Sequence, residues 1–135
     1  MNYTLGKTSK KRLSTCHKTW RKVINLAIQT SPLDFGVVCG GRGKQAQETA
    51  YLSGKSLAKW GESDHNFRLG NKLCSLAIDL GPYCHVSRDY VWNDEHAWKV
   101  LADHIISCGK RFGHKIEWGG NWKTIIDKPH FVLRF

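Results

Sequence analysis

The sequence predicts a single α+β domain with an antiparallel sheet and flanking helices, on three observations. Two long segments carry apolar residues at three- and four-residue steps, four short segments read as strands, and no internal repeat or low-complexity stretch interrupts them. The 135 residues are 41% hydrophobic and 11% aromatic, enough for one real core, which excludes wholesale disorder.

Between Lys11 and Gln29, the residues Leu13, His17, Trp20, Ile24, Ala27 and Ile28 recur at helical spacing, with Lys18, Arg21 and Lys22 on the remaining faces. Ser31-Pro32 stops this helix. Asp34 to Cys39 is a short β-type run ending in Gly40-Gly41, and Lys44 to Leu52 has helical composition up to Ser53-Gly54. From Lys55 to Cys74 no period is sustained, and Gly61, Asn66, Gly70 and Asn71 predict a long loop of the kind that is usually functional or mobile. Ser75 to Leu80 alternates, with Leu76, Ile78 and Leu80 on one face, Ala77 and Asp79 on the other, and Gly81-Pro82 as terminator. Asp94 to Phe112 is the second long helix, with Asn93 as N-cap, Gly113 at its end, and Ala97, Leu101, His104, Ile105 and Cys108 along its buried stripe. His114 to Trp118 and His130 to Phe135 read as two strands joined by a Gly-Gly turn and a short loop or helical turn.

Twenty-one Lys and Arg against 11 Asp and Glu give a formal charge of +10, which predicts attraction to a polyanion: nucleic acid, an anionic membrane face or a bacterial wall. The basic residues are spread along the chain and match no known nucleic-acid motif, which weighs against a nucleic-acid-binding protein. No apolar run approaches the roughly 18 residues that cross a bilayer. The basic N-terminus lacks a following apolar segment, so no export signal is expected. Five scattered cysteines without a Cys-x-x-Cys pair read as reduced thiols. Cys74 and Cys84 flank the Asp79 strand as soft-metal ligands or, by the more ordinary reading, as small buried hydrophobes.

Three places put polar ligand types beside a strand end or a glycine turn: Ser63-Asp-His65, Ala77-Ile-Asp79 and Asp127-Lys-Pro-His130. A catalytic zinc site takes three ligands from His, Asp or Glu and leaves one position for water. His65, Asp79 and His130 can supply that set, with Asp127 close by to handle protons. The competing reading of each is a polar residue satisfied by its neighbours.

These fragments, in order, resemble the VanY-like family of zinc D-alanyl-D-alanine carboxypeptidases and phage L-alanyl-D-glutamate endopeptidases. Leu13 to Ile28 resembles the opening helix, Asp34-Phe35 through Gly41-Arg42 the strand and turn after it, and Gln47, Tyr51-Leu52 and Gly54-Lys55-Ser56 the next helix. Ser63-Asp-His65 and Ala77-Ile-Asp79-Leu80 match the halves of the first metal motif. Trp118-Gly-Gly-Asn-Trp122 with Asp127-Lys-Pro-His130-Phe131 resembles the closing one. Two departures stand out. The interval from His65 to Asp79 exceeds the compact Ser-x-His-x-x-Gly-x-Ala-x-Asp form, leaving Asn66 to Cys74 as a loop at the cleft rim, and the turn reads Gly41-Arg42-Gly43 rather than Arg-Thr.

The resemblance implies a Hedgehog/D-Ala-D-Ala peptidase-like fold over residues 1–135 as one catalytic domain, without a separate wall-binding domain. It implies one zinc ion on His65, Asp79 and His130, Asp127 as catalytic base and acid, and Arg42 contacting the substrate carbonyl or a carboxylate. Gln47, Trp118 and Trp122 are implied on the substrate side, the two tryptophans as cleft-wall packing. The expected activity is hydrolysis of the L-alanyl-D-glutamate bond of the peptidoglycan stem peptide by a monomeric endolysin, made in the host cytoplasm and released to the wall. The alternative within the family is a D-alanyl-D-alanine carboxypeptidase.

Overall fold

The computed structural model describes residues 3–135. The long N-terminal helical pattern is divided in two: α1 (Lys7–Leu13) and α2 (Lys18–Thr30). In the link, Cys16 forms a parallel bridge with Ser75, Ser75 N donates to Thr15 O at 3.0 Å, and His17 N donates to Ser75 O at 2.9 Å. This corrects the single helix expected over 11–29, because the link's backbone groups are spent on a distant segment instead of the next helical turn. His17 also leaves the apolar stripe: its Nδ1 accepts from Thr19 N at 3.1 Å and caps α2.

That cap has a pH signature. Burial, and then the neighbouring Lys18 charge, push the His17 pKa down, and a protonated Nδ1 has no lone pair with which to accept the bond. With a depressed folded pKa the unfolded chain binds the proton first, so stability is full above the ordinary histidine value of about 6.5 and declines as pH falls below it. His17→Asn keeps a capping oxygen without titrating. Thermal unfolding on the two sides of that value should therefore differ more for the wild type than for His17→Asn; equal differences would remove His17 from this role.

The strands are β1 (Phe35–Cys39), β2 (Arg68–Leu69), β3 (Lys72–Leu73), β4 (Ala77–Cys84), β5 (Asp89–Tyr90), β6 (Lys115–Trp118) and β7 (His130–Arg134). Helix α3 (Lys44–Leu52) follows β1, and α4 (Glu95–Arg111) follows β5. The main sheet is antiparallel in the order β1-β4-β7-β6, with β5 pairing the far end of β4, while β2 and β3 form a separate hairpin. The expected loop over 55–74 thus contains this hairpin and a 3₁₀ turn, Asp64–Asn66. The expected helical turn after the Gly-Gly pair is a second 3₁₀ segment, Gly119–Asn121.

One face of the sheet is buried under α2 and α4, where Trp20, Ile24, Ile78, Leu80, Leu101, Ile105 and Phe131 form the centre of the core. Trp20 is anchored by its Nε1, which donates to Leu76 O at 2.7 Å. Because strand side chains alternate, burying Ile78 and Leu80 turns Ala77, Asp79 and Gly81 to the opposite face. Gly36 and Gly81 pair across β1 and β4. A Cβ at Gly81 would meet Tyr90 at 2.8 Å and Trp92 at 3.2 Å, so the glycines let these two rings lie down on the sheet beside Asp79. No helix among the described residues is long and apolar enough to cross a membrane.

Three further expectations are corrected. β4 runs through Gly81-Pro82 instead of ending there: both residues stay in the ladder with β1, opposite Gly36 and Phe35, and the bonds that flank the proline, Tyr83 N to Asp34 O at 3.0 Å and Val91 N to Pro82 O at 2.9 Å, do not need a proline N–H. The N-cap of α4 is Asp94, whose carboxylate accepts from Ala97 N at 3.0 Å, rather than Asn93. Its buried stripe takes Trp98 and Ala102 with Leu101, Ile105 and Cys108. Ala97 is only half-buried, as is His104, whose Nε2 contacts Ala27 O at 3.0 Å.

Candidate active site

The open face of the sheet gathers the residues singled out for metal chemistry. The β4–β7 register sets His130 directly across from Asp79, and β1 sets Cys39 across from Asp79 on its other side. His65 reaches the same place from the 3₁₀ turn, which Ser63 caps by accepting from His65 N at 3.2 Å. Ligand atoms of His65, Asp79 and His130 lie within 4.8 Å of one another.

Backbone contacts fix how His65 is presented. Its Nδ1 lies 2.7 Å from Gly40 O, which can only accept, so Nδ1 carries a proton and Nε2 is the nitrogen turned toward Asp79. Gly40 must be glycine here, because a Cβ would collide with the Arg12 carbonyl oxygen. His65 Nε2 comes within 3.3 Å of Asp79 Oδ1, and His130 Nδ1 within 3.5 Å of the same oxygen. Even so, His65 Nε2 and Asp79 Oδ1 are buried without a properly directed hydrogen-bond partner. Burial opposes charge on His65, but Asp79 and Cys39 outweigh it and raise its pKa to about 9. Burial likewise opposes charge on Asp79, and the two imidazoles overcome it and hold the carboxylate well below its usual range. Two imidazoles and a carboxylate converging with orphaned buried atoms fit a divalent cation.

Asp127 stands beside this cluster, half-buried, in a loop tied down at both ends. Its N donates to Gly119 O at 3.0 Å, and its carbonyl accepts from His130 N at 3.2 Å. The first glycine of Trp118-Gly-Gly allows that approach, since a Cβ on Gly119 would collide with the Asp127 carbonyl oxygen. Burial, and next the Asp79 charge, raise the Asp127 pKa, against the pull of His130, His65 and Arg42. Arg42 leads into α3 with its backbone gripped by the 3₁₀ turn: its N donates to His65 O at 2.8 Å and its O accepts from Asn66 Nδ2 at 3.1 Å. Arg42 Nε is buried without a hydrogen-bond partner.

The three residues expected on the substrate side are placed differently from one another. Trp122 lies against the site, its ring centroid 5.1 Å from that of His130 and its Nε1 donating to Glu117 Oε1 at 2.9 Å. Trp118 belongs to the core, stacked on Phe131 and donating to Lys128 O at 2.7 Å. Gln47 is fully buried: its Nε2 donates to Ser56 Oγ and Ala58 O, and its Oε1 accepts from Asn66 Nδ2. Burial therefore moves Gln47 and Trp118 beneath the site surface. Cys74 and Cys84 are free, half-buried thiols outside the His-Asp-His cluster.

Asn66 and Glu117 also belong to the site, and the sequence does not single them out. Asn66 is a loop signal in the sequence, and nothing in its spacing marks it out further. Glu117 sits where Arg134 can hold it, Nε to Oε2 at 3.1 Å, and its place one residue before the end of a strand, next to a tryptophan-rich turn, is the available hint.

Comparison with known proteins agrees with this geometry. The model of the phage L-alanyl-D-glutamate peptidase family matches residues 1–131. The L-alanyl-D-glutamate peptidase of Escherichia phage T5 is 31% identical over 135 residues, covering 99% of this chain and 92% of the relative. The peptidoglycan L-alanyl-D-glutamate endopeptidase CwlK of Bacillus subtilis (strain 168) is 25% identical over 82% of this chain and 66% of its own. The crystal structure of the Serratia marcescens L-Ala D-Glu endopeptidase ChiX superposes with a TM-score of 0.78 at 27% identity, covering 98% of this chain and 91% of that one. With the family model spanning nearly every element that builds the His65–Asp79–His130 cluster, the chain belongs to the phage L-alanyl-D-glutamate peptidase family.

Proposed function

We propose that the protein is a zinc-dependent peptidase that hydrolyses the L-alanyl-D-glutamate bond of the peptidoglycan stem peptide, as a phage endolysin acting on the bacterial wall after release from the host cytoplasm. The observation that carries this reading is the convergence of His65, Asp79 and His130, with orphaned Nε2 and Oδ1 atoms, beside a half-buried Asp127 in a chain of this family. Residues 1–135 act as one catalytic domain, and the working species is a monomer.

His65, Asp79 and His130 would hold the ion, and two imidazoles favour zinc over the oxygen-seeking magnesium and calcium. Bound there, zinc supplies Lewis acidity and a water acidic enough to attack at neutral pH. Asp127 takes a proton from the attacking water as it adds to the carbonyl carbon, and delivers one to the amine nitrogen as the C–N bond breaks. Arg42 lends its guanidinium to the negative charge that develops on the carbonyl oxygen. Trp122 walls one side of the cleft and limits the tilt of His130.

The direct test is mass spectrometry of purified peptidoglycan digested by the zinc-loaded protein, with a chelated control. The expected product is a new, chelator-sensitive amine on D-glutamate. Release of terminal D-alanine would instead assign the carboxypeptidase activity, and no cleavage by a zinc-loaded protein would sink the peptidase reading.

The charge of +10 gives a second expectation. If the positive field holds the enzyme to an anionic wall, raising the salt from about 0.01 to about 0.15 M shortens the screening length from about 30 to about 8 Å and weakens that hold. Wall lysis should then fall with salt while cleavage of a soluble stem peptide persists. Equal salt responses would remove the electrostatic contribution.

A further inference from the structure

Arg42 sits in the sequence Gly40-Gly41-Arg42-Gly43, so its neighbours supply no side-chain packing and little conformational restraint. A guanidinium useful at the reaction centre needs its backbone held by something else. Two amide side chains do this. Asn66 Nδ2 donates to Arg42 O and to Gln47 Oε1, each at 3.1 Å. Asn66 Oδ1 accepts from Gly61 N at 3.1 Å and Ser63 N at 3.3 Å, so both donors and both acceptor sites of this buried amide are used. Gln47, fully buried on α3, fixes the Asn66 amide from behind and is itself held by Ser56 and Ala58. The Arg42 N to His65 O bond closes the ring on the other side.

We infer that Asn66, backed by Gln47, is the positioning residue for Arg42: it couples the turn that carries His65 to the turn that carries the guanidinium, so that both meet the substrate in one fixed relation. The inference rests on the proposed peptidase reading for its effect on turnover, but not for the geometry of the clamp. A fully satisfied buried amide is expensive to disturb, because losing one partner strands the others. In the folded protein the amide orientation is therefore fixed, and Arg42 inherits that rigidity.

The experiment is a double-mutant cycle read on a soluble stem peptide, with zinc affinity measured for each variant by chelator competition. Asn66→Ala should lower kcat about 10- to 100-fold, the size of effect expected from a misplaced catalytic group, with zinc affinity unchanged. Gln47→Met, which keeps the volume and leaves the Arg42 turn untouched, should give a smaller loss of the same kind. In an Arg42→Ala background neither substitution should add a further loss beyond about twofold, since residues acting through one group are not additive. Additive losses, or loss of zinc affinity in step with kcat, would overturn the inference.

Amide hydrogen exchange gives a readout that does not depend on turnover. In Gln47→Met, which should fold even where Asn66→Ala does not, the backbone N–H of Arg42 should exchange faster while β4 and β7 stay protected. An unchanged Arg42 rate would dismiss the clamp whatever the activity. An inactive wild type with a faster Arg42 rate in the variant would leave the clamp standing and bring down the peptidase reading alone.

Discussion

Asp127→Ala is expected to lower turnover about 10²- to 10⁴-fold while leaving zinc affinity and the fold in place, the loss typical of removing a general acid–base group. The side chain is outside the His65–Asp79–His130 cluster, so its removal takes nothing from the ligand set. Its loop is held by backbone bonds to Gly119 and His130 that alanine retains. Burial, and next the charge of Asp79, raise the Asp127 pKa above the ordinary carboxylate value, the direction that makes a carboxylate a better proton acceptor. His130→Ala is the contrast, because it should lose both zinc and turnover. Metal stoichiometry and stem-peptide hydrolysis on the same preparations separate the two. Near-normal turnover in zinc-loaded Asp127→Ala would show that another group moves the proton.

How much of this was legible in the sequence differs by element. The core of α2 could be read because Trp20, Ile24, Ala27 and Ile28 sit on one helical face and all four are buried. The break before His17 could not: the apolar period runs straight through it, and what ends α1 is pairing with Ser75, a contact far along the chain. Pro82 is the opposite case: a residue that ends most strands stays inside this one because the ladder around it is carried by Tyr83 N and by the proline's own carbonyl, which accepts from Val91 N. Asn93 and Asp94 are equally competent caps by type, and only the backbone trajectory chooses between them. At the site, the motif spacing marked the residues, but their convergence depends on the cross-strand register that pairs Asp79 with His130. The burial of Gln47 was invisible for a related reason. It is created by residues 56–61 folding back over α3, and that segment carries no periodic signal.

The second large effect is expected from zinc itself. At a free concentration about 100 times its Kd, zinc should stabilise the folded protein by about 2.7 kcal/mol, or roughly 10 °C in Tm for a chain of this size. The unfolded chain cannot match this binding, because the three ligands come from elements separated in sequence and are brought together only by the sheet and the 3₁₀ turn. His65→Ala should abolish the zinc-dependent shift along with turnover, while Asp127→Ala should keep the full shift and lose only turnover. The same concentration of magnesium should give little or no shift, since a site with two imidazoles suits that ion poorly. His65→Ala will also be less stable than the wild type without metal, because it leaves the Asp79 carboxylate short of one of its two imidazole neighbours. The informative quantity is therefore the difference with and without zinc, measured for each variant against itself. A zinc-dependent shift that survived in His65→Ala would place the ion elsewhere on the protein, and with it the origin of the activity.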